Sequence, residues 1–337
     1  TVGAKGMMIA MASLALLLRN KDDERYEDLE DWDKDTYWHV FLPEPIEIGG
    51  SNVSHVRIPK PFEVGVIFGT MPERIALNLL GKDDNDKTFE RFLWSLRETL
   101  AFDPIPHAVA PAQEVFANWD RFRESPIESF SDQQVSNEDR YNAYTSPTAI
   151  QIGKLTGRIG ISPKEVEHLW RGYSGTLGMY VLSVSDYAMR SATDAPPQPT
   201  LRIDQYPVIG SFLRSEPARS TKWLTELYNM RQALNEINGS LNKFEREGNI
   251  GRWIEIAETE SEFGVPKEMA LSVRPEIESA ATFNSQLRRE TDAIINDRNM
   301  TPAEKRELID ELISRRNVNA KETLKMVREF LSENQPE

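Results

Sequence analysis

The chain has 337 residues, a formal charge of −14 and no cysteine. That length accommodates two or three domains with real cores. The acidic balance argues against a phosphate-binding surface as the main business of the chain, since nucleic-acid affinity rests on clustered Lys and Arg. The missing cysteines exclude disulfides, thiolate zinc sites and thiol nucleophiles. The first residue is Thr1 and not Met, which suggests a processed product or a piece of something longer.

From the N-terminus, an uncharged run from Gly6 to Leu18 meets the most acidic stretch of the chain. Between positions 21 and 35, Asp22, Asp23, Glu24, Glu27, Asp28, Glu30, Asp31, Asp33 and Asp35 stand against Lys21, Arg25 and Lys34. A membrane span needs roughly 20 apolar residues, so the run is too short to cross comfortably. Lys5 mimics the basic start of a signal peptide, yet no small-residue cleavage site follows. Two readings remain. One is a buried helix capped by a solvated acidic loop. The other is a helix that meets lipid or a partner through Met7, Met8, Ile9, Leu14, Leu16, Leu17 and Leu18.

The stretch from about 36 to 70 is rich in aromatic residues, Pro and Gly. Short alternating runs at Pro45–Ile48 and Val53–Ile58 predict a small hairpin, not a large sheet. Helix signals dominate afterwards. Pro72 suits the first turn of a helix that Gly81 ends. Phe89, Phe92, Leu93, Leu96 and Leu100 share a helical face. A short helix is expected between Ala110 and Trp119. Ser162, Pro163 and Glu165 form a capping box at the start of a long helix. Within that helix Gly172, Gly175 and Gly178 fall three apart. Each costs about 1 kcal/mol against Ala, which is consistent with a bare strip for another backbone or with a kink near Gly175.

Residues 195–215, which include the segment APPQPT, read as a linker. Beyond them, Trp223, Leu227, Met230, Leu234, Ile237, Leu241 and Phe244 recur in alternating steps of four and three, the seam of a heptad. Such a stripe serves an intramolecular helix hairpin or a separate coiled coil, and the hairpin is the commoner use. Thr301–Glu304 is a second capping box, opening helices that run to about Leu331. The expected fold class is therefore mainly α: a multi-helix assembly with a small β-hairpin or extended segment near the N-terminal third and a helical hairpin or coiled-coil-like C-terminal part. The expected organisation is a helical domain over 1–194, a linker over 195–215 and an all-helical domain over 216–337.

No catalytic constellation is legible. His39, His55, His107 and His168 lie in separate segments without metal-helix spacing and read as loop or core residues. GYSGTLG fails the nucleophile-elbow spacing at Thr176. The GKDDNDK loop places Lys87 where a calcium loop needs an oxygen ligand, so it reads as a solvated turn. No catalytic, cofactor-binding or metal residue is nominated, and no cofactor is expected.

The ordered series DWDKDTYWHVFL, RIPKPFEVGVIFGTMPERI, PIPHAVAPAQEVFANW, YTSPTAIQIGKL, SPKEVEHLWRGYSGTLGMYVL, QYPVIGSFLR and TPAEKRELIDEL resembles a large polyvalent protein associated domain. That family occurs near the C-terminal ends of very long phage and mobile-element proteins. The resemblance implies a non-enzymatic internal virion or ejection protein, or its processed C-terminal piece. Such a protein is stored in the capsid and helps form the core or the trans-envelope conduit for genome delivery. It also implies portal or other internal core proteins as partners, a homo-oligomer, genomic DNA nearby without sequence-specific binding, and transient contact with the host membrane. The implied location is the virion interior, then the host cell envelope. The alternative is an accessory module of a mobile-element protein transferred with DNA, or an enzyme whose site is not recognisable. Only architectural positions carry over: Arg57, Pro59, Pro61, Phe62 and Gly65, then Pro72, Glu73 and Arg74, and the three glycines of the long helix. Glu73 and Arg74 are expected to make ordinary surface or buried ion pairs.

Overall fold

A computed structural model describes residues 2–61, 65–81, 109–121, 125–130, 132–142, 145–192, 196–206 and 209–334. The helix expected from Phe89 to Leu100, the GKDDNDK loop beyond Gly81, Phe62 and His107 lie outside the described residues. The chain is mainly helical, with one small antiparallel sheet among the described residues, as expected. It divides into two compact units, one formed by 1–99, 199–294 and 302–337 and the other by 100–198 and 295–301. This division follows spatial contact and differs from the sequential one at 194 and 216.

In the first unit, α1 (Val2–Asn20) is followed by two short helices, α2 (Glu24–Asp28) and α3 (Asp31–Thr36). The hairpin is the expected one, though longer: β1 (Tyr37–Ile48) and β2 (Ser51–Pro59) pair with Ile48 opposite Ser51. Gly49 and Gly50 make the two-residue turn, with φ +58° and +72°, a geometry that side chains with a Cβ resist. The register shifts between Phe41 and Ile46, across Pro43 and Pro45, which lack the N–H a ladder needs. A π-helical turn (Val66–Thr70) leads into α4 (Met71–Leu79), with Pro72 in its first turn and Gly81 just beyond its end at φ +66°.

The third strand comes from far along the chain. Residues 195–215, expected as a linker, contain a 3-10 turn (Ile203–Gln205), a four-residue helix (Ile209–Phe212) and most of β3 (Leu213–Glu216). β3 pairs with β2, so β2 is central. That placement matches its burial, whereas the solvent end of β1 is exposed.

The second unit holds α5 (Ala110–Ala117), α6 (Pro147–Thr156) and α7 (Pro163–Ala192). The capping box at α7 forms as expected: Glu165 Oε2 accepts from the Ser162 N–H at 2.8 Å, and Ser162 Oγ accepts from the Glu165 N–H at 3.2 Å. Ser146 caps α6, and Asp186 of α7 accepts from the Ser146 hydroxyl and the Thr148 N–H at 2.6 and 2.9 Å.

The first unit is completed by α8 (Lys222–Arg246), α9 (Ile250–Ala257), α10 (Lys267–Leu271), α11 (Arg274–Asn296) and α12 (Pro302–Glu333). The heptad residues of α8 point into this bundle. Trp223, Leu227 and Leu234 pack with Ile277 and Ala280 of α11 and with Ala320, Leu324, Val327 and Leu331 of α12. Met230 and Ile237 pack against that core, Leu241 is buried, and Phe244 is half-buried. Buried area is the principal stabiliser here, at about 25 cal/mol per Å² of apolar surface.

Candidate functional site: a charged framework and the cleft beside it

The most distinctive chemistry in the first unit is polar and internal. Arg57 on β2 reaches Asp33 on α3, Nη1 to Oδ1 at 2.7 Å, and its Nε donates to the Ser211 carbonyl at 3.0 Å. Its guanidinium lies 4.0 Å from the centre of the Tyr37 ring. Lys60, just past β2, pairs with Glu73 of α4 and also donates to the Lys34 carbonyl at 2.8 Å and to Thr70 Oγ1 at 3.4 Å. Thr70 Oγ1 donates onward to the Asp35 carbonyl at 2.7 Å. Arg74 bridges Asp35 at 2.8 Å and Asp31 at 3.5 Å. Apart from the partly exposed Asp31 and Asp35, these charges are buried, so each buried pair must hold hydrogen bonds as well as attraction to offset desolvation. Burial raises the Glu73 pKa and lowers that of Lys60, and the attraction between them opposes both shifts. Gly65 stands where a Cβ would sit 2.8 Å from the Lys60 Cβ.

The acidic run is therefore no solvated loop. Six of its acids hold structure together: besides Asp31, Asp33 and Asp35, Asp28 accepts from Lys321 at 2.8 Å and from Trp223 Nε1 at 2.7 Å. Glu27 faces Lys222 at 3.6 Å, and Glu30 takes the hydroxyls of Ser220 and Thr225. Trp223 in turn sits among Lys222, Lys321, Lys325 and Arg328, each within 6.0 Å of the ring. A basic aromatic seat on α8 and α12 thus receives α2. Sequence counting sees the charges of that seat but not their convergence, because they lie about 200 to 300 positions from the acids of α2.

Behind β1 lies an aromatic cluster. His39 and His55 stand 5.2 Å apart, with Phe41 at 4.6 Å from His55 and Tyr26 at 6.3 Å from His39. Both histidines are core residues, as expected. Asn20 donates to the His39 carbonyl at 2.7 Å. Burial lowers His39 to about 4 and His55 to about 3, helped at His55 by His39 and by nearby Arg214, Arg25 and Arg57. Both rings are neutral at pH 7. An unfolded imidazole titrates near 6.5, so below that value the unfolded chain takes up protons that the folded chain refuses. Stability should fall by about 1.4 kcal/mol per pH unit per imidazole from about pH 6 towards pH 4. Urea unfolding midpoints at pH 7, 5.5 and 4.5 check this, and His55→Phe should flatten the dependence.

The faces of α1 now separate. Leu17 is buried with Tyr26, Phe41 and Leu77, and Leu14 packs against them. Ser13 accepts from Trp38 Nε1 at 2.7 Å. Ile9 and Leu16 are half-buried. Met7, Met8, Met11 and Leu18 are exposed, at 66, 60, 59 and 56%. One side of the helix is buried, and the opposite side leaves these four apolar residues open. Among the described residues no helix is long and apolar enough to cross a membrane.

In the second unit the glycine strip resolves into three separate devices. Gly172 meets α5, where an added Cβ would lie 2.6 Å from Pro111. Gly175 breaks the helix at φ +56°, ψ −149°, and nothing lies near it. Gly178 makes room for the Ser174 side chain, and its carbonyl accepts from Trp170 Nε1 at 2.8 Å across the break. The continuous bare strip gives way to a kink with one close approach. His168 of α7 meets Glu114 at 2.8 Å and Asp120 at 3.8 Å beside a cavity of about 230 Å³. Among the described residues no group of three acids or histidines is placed to hold a metal.

A larger cleft of about 650 Å³ opens in the first unit between the central and third strands, α2, the segment 217–221 and α12. Its wall includes Arg214, Arg219, His55 and the half-exposed Trp32.

Fold and framework together define a mainly α-helical module built on a small antiparallel sheet and braced by buried ion pairs. The chain belongs to the large polyvalent protein associated domain 38 family, whose model matches residues 23–209. The match takes in α2, the whole hairpin, the Arg57, Lys60, Glu73 and Arg74 framework and the long kinked helix, while the block at Thr301–Leu312 lies outside it. No curated protein and no solved structure matches the chain.

Proposed function

We propose that the chain is a non-enzymatic assembly module of a phage internal virion protein, stored in the capsid and contributing to the core or conduit through which the genome leaves. Family membership supports this reading at the coarse level of a polyvalent-protein module. The observation that carries it further is the outer face of α1. Met7, Met8, Met11 and Leu18 form an open apolar strip without an acid, flanked by Lys5 and Arg19. Contiguous exposed apolar surface marks a contact site, and methionine adapts to irregular partners. Portal or other core proteins, or further copies of this chain, would cover it within the particle, and a membrane surface could do so in transit.

The experiment is mass photometry of the purified chain together with cryo-EM of particles. The expected result is discrete assemblies, lost in Met8→Asp/Met11→Asp, and density for the chain inside the capsid. A strictly monomeric product that is absent from purified virions would reject the proposal. Neighbouring conjugation genes, in place of capsid and tail genes, would favour an accessory module of a mobile element. Peptidoglycan cleavage by this chain alone would overturn the non-enzymatic part.

A further inference from the structure

We propose that the 650 Å³ cleft of the first unit binds a small hydroxylated oxyanion, a sugar phosphate or a sugar acid. Its volume lies in the range of small-molecule sites, about 300–1,000 Å³.

Two cations line it without a carboxylate partner among the described residues. Arg214 donates only to the Gly210 carbonyl, at 3.3 Å, and the exposed Arg219 is in no ion pair among the described residues. Of the acids that line it, Asp28 pairs with Lys321, Asp33 with Arg57 and Asp204 with Arg202 at 3.0 Å, and Glu24 lies 3.8 Å from Lys321. Glu30, which takes the hydroxyls of Ser220 and Thr225, and the exposed Glu216 pair with no cation among the described residues and can accept from ligand hydroxyls. Two planar guanidiniums that touch no carboxylate suit an oxyanion.

A second, independent observation concerns hydrogen bonding. Four side chains of the cleft wall each bury a polar atom with no partner: His55 Nε2, Ser215 Oγ, Thr221 Oγ1 and Asn317 Oδ1. Buried polar groups are normally satisfied, and each orphan costs free energy. The two hydroxyls can donate to anion oxygens. Ser54 Oγ donates to the Arg214 carbonyl at 3.3 Å, so the His55 Nδ1–H donates to Ser54 and leaves Nε2 as an acceptor. Asn317 gives its Nδ2 to the Ala218 carbonyl, which leaves Oδ1 also as an acceptor. The site therefore wants negative charge and hydroxyl donors in one molecule. Trp32 at the rim supplies a flat face of the kind that covers a sugar ring.

Calorimetric titration of the intact chain tests the idea with four probes: glucose 6-phosphate, glucuronate, inorganic phosphate and glucose. The charged sugars should bind at least tenfold tighter than glucose, and whichever of the two binds better identifies phosphate or carboxylate as the source. Arg219→Gln, an exposed change that leaves the core intact, and Arg214→Gln/Arg219→Gln should weaken that binding by about tenfold or more, while Thr221→Val should weaken it less. Equal binding of glucose, inorganic phosphate binding as tightly as the sugar phosphate, no effect of Arg219→Gln, or no heat with any probe at millimolar concentration would each overturn it. In the last case water alone fills the cleft.

Discussion

Lys60→Met should lower the unfolding free energy by about 3–5 kcal/mol at neutral pH, because it leaves Glu73 charged and buried without its partner. The magnitude follows from an asymmetry. The intact pair contributes little net stability, since attraction and hydrogen bonding only offset desolvation, but half of it is a stranded charge. Burial already raises the Glu73 pKa, and removing Lys60 raises it further. The deficit should therefore shrink as the pH falls and Glu73 protonates. Lys60→Met/Glu73→Leu should recover part of the loss and no more, because the Lys34 carbonyl and Thr70 Oγ1 still lose the donor that Lys60 supplied. Urea unfolding of the three proteins at pH 7 and pH 5 reads all of this. A single variant as stable as the parent at pH 7 would show that the pair is not buried in solution.

Leu234→Ala is the second large effect, an expected loss of about 3–5 kcal/mol. Leu234 is fully buried between α8 and the helices that receive it, so deletion leaves a cavity in a core that Ile277, Leu324 and Val327 hold rigidly. Met326→Ala, on the exposed side of α12, should change stability by less than about 0.5 kcal/mol. The comparison also separates the two uses of a heptad stripe. If the seam joined separate chains, the cost of Leu234→Ala would depend on protein concentration; with the partner helices in the same chain, the unfolding midpoint should not move on tenfold dilution.

Much of this architecture is local and therefore readable. Gly49 and Gly50 between alternating strands specify a hairpin because only that turn suits two positive φ angles. Ser162 and Glu165 specify a helix start because each satisfies the other's backbone N–H. The stripe from Trp223 to Leu241 specifies a buried face because 3.5-residue spacing keeps one side of a helix apolar. The nomination of Glu73 and Arg74 as ion-pair residues is likewise met, though their partners were not legible.

Other features depend on residues far apart in the chain. Leu213–Glu216 is too short and too polar to announce a strand, and it becomes one only because β2 offers an open edge. The acids of α2 look solvated until Lys222, Lys321 and Trp223 arrive from the C-terminal helices. Gly172, Gly175 and Gly178 share a spacing but not a purpose, since backbone angle and neighbour differ at each. The cleft is of the same kind: Arg214, Thr221, His55 and Asn317 come from separate elements, so no motif could signal it.

The amino-acid sequence by itself determined the helical class, the hairpin, the helix starts and the apolar stripes, because turn angles, caps and periodicity act within a few residues of one another. Only the tertiary structure decided which charges are paired, which face of α1 is left open and where the cleft lies, because Coulomb energy, burial and cavity shape depend on distance in space between segments that the chain order keeps apart.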